Sequence, residues 1–298
     1  MALRQNLTLA GLKDAARLFI YLGASILLGA LLAPLLFWSA QACAPQLFAR
    51  VDFESFFHRA LLIALAALLF PFTRWVRGRR WQDLQLEPNR QWSRDVAAGF
   101  LLALAPLLCC GALLVVAHLF SLRHVVNWSG LAKVIGAAVA VPLIEESFFR
   151  GLVLGILLRS GHKYIAMVLS SALFSIVHFF KAPEQTSPIV TWSSGFDSIA
   201  HSFSKFANPT VVAAGFTTLF LIGYIMADAR VKTRSLWLPI GLHCGWIFGS
   251  GLFNRIAHRE VIALPWVGKN LLVGIVPLAV AALTWLLMRR WLRSRACD

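Results

Sequence analysis

Eight apolar stretches punctuate the chain, at 16–40, 56–73, 96–120, 131–158, 163–181, 209–228, 235–255 and 268–292. Crossing the hydrocarbon as a helix takes about 20 such residues. Short polar linkers separate the stretches, so the pattern predicts an all-α polytopic membrane protein of about eight transmembrane helices, forming a single domain over 1–298. Pro34, Pro71, Pro106, Pro142, Pro239 and Pro277 sit within or at the ends of these segments. Neighbouring helices can satisfy the carbonyls that such prolines free. The one long outer connection, Lys181 to Asn208, contains Pro183, Pro188 and a TWSSGF stretch. It is expected to be a lid or a partly re-entrant loop.

Composition agrees: 59% of the 298 residues are hydrophobic and 14% are charged. The net charge of +15 comes from clusters between apolar runs rather than from a separate basic domain. That distribution suits loops facing anionic headgroups and argues against nucleic-acid binding. The clusters around Arg4 to Arg17, Arg74 to Arg94, Arg159 to Lys163, Arg230 to Arg234 and Arg289 to Arg295 hold 18 of the 28 cations and alternate with the segments so that all fall on one side. Both termini are therefore expected in the cytoplasm, across what is expected to be a bacterial inner membrane. The small-x-small pattern at Trp38 to Ala44 resembles a signal-peptidase site, but its apolar run is too long for one, and the first span is read as a retained anchor. Cys43, Cys109, Cys110, Cys244 and Cys297 form no CxxC pair and are read as small core residues.

Against this background "VPLIEESFFRGLVLG", Val141 to Gly155, takes two carboxylates and a guanidinium into lipid. Each such charge costs at least about 2.5–3.5 kcal/mol at a helix centre, and intramembrane ionisable residues default to function. Glu146 and Arg150 stand at i and i+4, so they share a helical face and are expected to pair. Glu145 is rotated by about 100° from Glu146 and needs another partner. His178 in the fifth segment comes to a similar depth, near about 20 Å from the cytoplasmic end, on what should be an antiparallel neighbour. His243 in the seventh supplies a second imidazole. One carboxylate and two imidazoles, on three helices, are expected to converge on a buried cavity.

Such a set permits a general base for water, a proton carrier and a donor to a developing oxyanion. No GxSxG elbow is present, which disfavours serine catalysis. HExxH is absent too, although Glu145, His178 and His243 could ligate zinc, leaving metal-assisted hydrolysis as an alternative. A proton-coupled transporter, with Glu145 and His178 as a relay, is a further alternative. The lack of a visible internal repeat counts against it.

Three motifs run in order: EExxxR as Glu145, Glu146 and Arg150, FxxxH as Phe174 and His178, and the late His243. In these the chain resembles the CPBP family of CAAX proteases and bacteriocin-processing enzymes, also called Abi, over about residues 130 to 255. The resemblance implies a CAAX prenyl endopeptidase-like fold and a glutamate-dependent intramembrane endopeptidase with no cofactor. In it Glu145 and His178 activate water, His243 helps hold the oxyanion, and Glu146 and Arg150 organise the site. It also implies a hydrophobic, membrane-embedded or lipidated peptide substrate. One departure stands out, because the family's HxxxN reads "HCGWI" here and puts Ile247 where an amide would donate. Asn254, further along the same face, is a distant replacement. Ile247 also motivates an alternative, a weakened or inactive member serving as a membrane scaffold or immunity protein.

Overall fold

The computed structural model describes residues 2–48, 51–76, 87–126, 128–179, 189–260, 266–267, 271–272 and 274–295. Their helices are α1 (Ala2–Cys43), α2 (Pro45–Phe48), α3 (Phe53–Trp75), α4 (Trp92–Val116), α5 (Leu131–Glu146), α6 (Leu154–Leu158), α7 (Lys163–Phe179), α8 (Ser194–Ser204), α9 (Pro209–Val211), α10 (Thr217–Thr233), α11 (Trp237–Ile256) and α12 (Ile275–Ser294). A π segment, Ser147–Val153, joins α5 to α6, and a second, Val212–Phe216, leads into α10. The all-α expectation holds apart from one two-stranded antiparallel ladder, β1 (Phe120–Leu122) with β2 (Ala257–Arg259).

Among the described residues five helical stretches are long and apolar enough to cross a membrane: Gly11–Cys43, Phe53–Trp75, Trp92–Val116, Ala214–Thr233 and Ile275–Ser294. The other three expected spans are helical as well. One runs through α5, the π segment and α6, another is the shorter α7, and the third is α11. The first carries Glu145, Glu146 and Arg150 within one crossing length, and α7 is apolar but only 17 residues long. The expected lid is partly helical: α8 occupies residues 194–204, while the part of that connection at 180–188 lies outside the described residues.

The chain divides into two compact units. The first comprises Met1–Arg80, Arg159–Gly161 and Val177–Asn208. Within it α1 packs along α3, where Tyr21 donates its hydroxyl to the Leu65 carbonyl at 2.8 Å and stacks on Phe72 at 4.4 Å. α8 lies on α1 with Gly195 pressed against the Ala30 carbonyl. Asp14 holds Arg17 at 3.0 Å and Arg159 at 3.1 Å, which fixes the start of α1 to the turn before α7.

The second unit comprises Trp81–Leu158, His162–Ile176 and Pro209–Asp298, and its central seam is α4 against α11. Gly241, Gly245 and Gly249 repeat every four residues on one face of α11. Gly241 meets the Val96 carbonyl and Gly245 the Phe100 carbonyl, and a Cβ on Gly99 of α4 would lie 2.6 Å from the Leu238 carbonyl. Lipid offers no hydrophobic drive between helices, so close backbone approach through small residues supplies the association. Outside the seam Phe149, Phe174, Ile225, Met226, Leu238, Leu242, Trp246 and Met288 form the core. Leu101, Leu113, Val116, Ile144 and Leu286 are exposed around it, as lipid-facing side chains should be. The cysteines correct the sequence reading. Cys43 and Cys109 are exposed and Cys110 and Cys244 half-buried, all free thiols, while Cys297 lies outside the described residues.

Because carbonyls leave no room at the seam, Gly241→Leu is expected to destabilise the protein by about 1–3 kcal/mol, the usual range for overpacking. Thermal unfolding in detergent checks this against Gly23→Leu, whose site has nothing within 4 Å.

Candidate active site

The EExxxR motif falls where α5 changes register. α5 ends at Glu146 and the next seven residues, Ser147–Val153, wind as a π helix, with the Leu154 N–H bonded five residues back to the Phe149 carbonyl. π turns cluster at functional sites because they redirect side chains and loosen the carbonyl ladder. Two side chains from other helices take up carbonyls of this segment. Arg230 Nε donates to the Arg150 carbonyl at 3.1 Å, and Ser170 Oγ to the Phe149 carbonyl at 3.3 Å.

Arg230 was grouped with the basic loop cluster from its sequence neighbours. It is instead 1% exposed, inside the second unit. α10 continues past it to Thr233, where Arg234 ends the helix in the left-handed region at φ 50°.

Glu146 and Arg150 pair as their spacing predicts, with Nη1 donating to Oε1 at 3.0 Å and both side chains fully buried. Arg150 Nη2 donates to the Gly223 carbonyl at 3.2 Å, and its guanidinium lies 4.3 Å from the Phe174 ring centroid. A cation over an aromatic face in a desolvated site gains about 2 kcal/mol or more. Gly223 permits this packing, since a Cβ there would meet Phe174 and Ser171 at 3.2 Å.

The sequence reading missed a partner of Glu146. His243 Nδ1 lies 2.8 Å from the same Oε1 that receives Arg150, and the imidazole packs edge-on to Phe174 with centroids 6.0 Å apart. With Glu146 ionised by its pairing to Arg150, Nδ1 must carry the proton and donate. That fixes the ring and turns Nε2 toward Glu145, whose Oε2 stands 3.8 Å away. The two carboxylates thus differ: Glu146 has no exposed side-chain area, whereas Glu145 keeps 28%. Buried Glu146 orients; accessible Glu145 can meet a reactant.

His243 Nε2 has two chemical faces. In the neutral ring it accepts, and can share a water with Glu145. In the imidazolium it donates, as an oxyanion requires. Among the described residues no group of three or more His, Cys, Asp or Glu side chains is placed to hold a metal ion.

His178 stands in the last turn of α7, half-buried, one turn beyond Phe174 on the same helical face. It belongs to the first compact unit, while Glu145, Glu146, Arg150 and His243 all belong to the second. Ile247, half-buried, follows His243 by one turn of α11, and its carbonyl accepts from Ser250 Oγ at 3.2 Å. Asn254 is no replacement donor. It lies three turns beyond His243, about 16 Å along the axis, on a different cavity.

Removing the cation should strand Glu146. Arg150→Met is expected to cost about 3–5 kcal/mol, and the double variant Glu146→Met with Arg150→Met less than that, because the uncompensated charge leaves with its partner. Denaturation midpoints of the three proteins in one detergent test the order.

The comparisons bear on this segment. Residues 127–249 match the family model described as type II CAAX prenyl endopeptidase Rce1-like. No curated protein and no solved structure matches the chain.

Proposed function

Since residues 127–249 place the chain with the CPBP family of CAAX proteases, we propose that the protein is an intramembrane endopeptidase in which Glu145 and His178 activate water. The observation that carries this reading is the division of labour between adjacent carboxylates. Glu146 is buried between Arg150 and His243, and Glu145 faces the His243 Nε2 with 28% of its side chain exposed. His178 enters through the FxxxH motif. Phe174 packs on His243 and Arg150, and the next turn of α7 carries the histidine.

Glu145 takes a proton from water as the oxygen attacks the scissile carbonyl carbon, with His178 holding that water. The carbonyl oxygen becomes an oxyanion, toward which His243 as imidazolium donates Nε2–H, its Nδ1–H tied to Glu146. Collapse breaks the C–N bond, and the proton on Glu145 passes to the leaving amine. Water is consumed, a carboxylate and an amine form, and Glu145 returns ionised. The substrate class is a hydrophobic, membrane-embedded or lipidated peptide, since the site lies among helices whose outer faces are apolar. The protein sits in a bacterial inner membrane with both termini in the cytoplasm, on the strength of the basic clusters flanking the spans.

Two measurements test this. Quantitative proteomics of membranes from cells carrying wild type, Glu145→Gln or His178→Ala should show one membrane protein whose cleavage both variants lose. Unchanged cleavage patterns in both variants would refute the mechanism. Purified activity should also survive a zinc chelator, and loss that added zinc restores would replace the glutamate mechanism by a metal one. In the same assay Ile247→Asn adds an amide one turn from His243 and is expected to raise the rate, by up to about 100- to 1000-fold, since an oxyanion donor is worth about 2.7–4 kcal/mol. A rate at or below wild type would show that the oxyanion is not held on that side of the ring.

A further inference from the structure

A second polar feature of the second unit lies at the C-terminal end of α11, about three turns beyond His243. A cavity of about 420 Å³ is lined by Arg123, Val125, Val134, Gly251, Asn254 and Arg255. Among the described residues its polar lining consists of two guanidiniums and an amide. Pockets of about 300–1,000 Å³ suit small ligands, and paired arginines suit phosphate, whose oxygens they grip in a planar fork.

Both arginines are set in place by the backbone. Arg123 continues the β1 strand, its N–H bonded to the Ile256 carbonyl at 2.9 Å. Arg255 rests on Gly130, where any Cβ would overlap the guanidinium. Gly251 brings α11 close to α5, since a Cβ there would lie 2.7 Å from Val134. The surroundings are apolar and open. Val125 is 85% exposed, and Leu122 and Trp128 are more than half exposed beside it. An exposed tryptophan and aliphatic side chains next to cations mark the depth where headgroups meet acyl chains.

We infer that this cavity binds the phosphodiester headgroup of an anionic phospholipid, with Arg123, Arg255 and Asn254 on the phosphate and Val125 and Val134 along the first acyl carbons. Free phosphate offers the same oxygens, but gains nothing from the exposed valine and tryptophan. The site is separate from the peptidase chemistry and stands without it.

The test is native mass spectrometry of the full-length protein in detergent, titrated with phosphatidylglycerol or phosphatidylcholine. Wild type should retain phosphatidylglycerol in preference to phosphatidylcholine. Arg123→Gln and Arg255→Gln should each lower that retention at least about fivefold, while Lys133→Gln, which removes an exposed charge outside the cavity lining, should not. Arg123 is itself exposed, so its variant reports binding even if Arg255→Gln fails to fold. Equal retention by wild type and Arg123→Gln would overturn the site in favour of general attraction to a chain of net charge +15. Displacement of the lipid by millimolar inorganic phosphate would overturn the lipid as its occupant.

Discussion

The site depends on a single carboxylate oxygen. Glu146 Oε1 accepts from Arg150 at 3.0 Å and from His243 at 2.8 Å, in a setting with no exposed side-chain area on either Glu146 or Arg150. Three helical stretches meet through that atom: the α5 end, the π segment and α11. A buried charge is tolerable only when paired and hydrogen-bonded, because its desolvation costs several kcal/mol. The bundle answers that demand with a guanidinium, an imidazole and a backbone carbonyl at Gly223. The consequence is rigidity. His243 cannot rotate without stranding Glu146, so its Nε2 keeps its aim at Glu145.

This arrangement needs helices that approach closely and one that yields. The approach comes from the glycine face of α11 against α4, where peptide groups meet with no side chain between. The yielding comes from the π segment, whose carbonyls are released from the α ladder and taken up by Arg230 and Ser170. Those two donors belong to α10 and α7, so the distortion at Arg150 is tied into two further helices. Stiff seam and adjustable turn are complementary. One sets where His243 stands, and the other sets where Glu146 and Arg150 can reach it.

Much of this was legible from residue spacing. The apolar runs predicted helices, and the i, i+4 rule paired Glu146 with Arg150 while leaving Glu145 to another role. What stayed hidden needed contacts between distant segments. The Glu146–His243 bond spans 97 positions, and no local pattern distinguishes it from a bond between Glu145 and His243. Arg230 was misplaced because Lys232 and Arg234 nearby read as a loop, whereas the helix runs on through Thr233 and buries it. α8 was hidden by serine, glycine and threonine, which mark turns in water. There Gly195 serves to bring a helix against α1. A signal was available for the α4 seam, in Gly241, Gly245 and Gly249, as a repeat of small residues every fourth position.

The geometry around His243 bears on Ile247. The imidazole Nδ1 lies 2.8 Å from Glu146 and its Nε2 faces Glu145 at 3.8 Å, so one ring nitrogen is held and the other looks toward the accessible carboxylate. Where the family pattern places an amide next to the histidine, this chain has a hydrocarbon, and the carbonyl of that residue is already claimed by Ser250. In the proposed reaction the oxyanion duty would therefore concentrate on one ring nitrogen of an imidazole whose other nitrogen is held by Glu146.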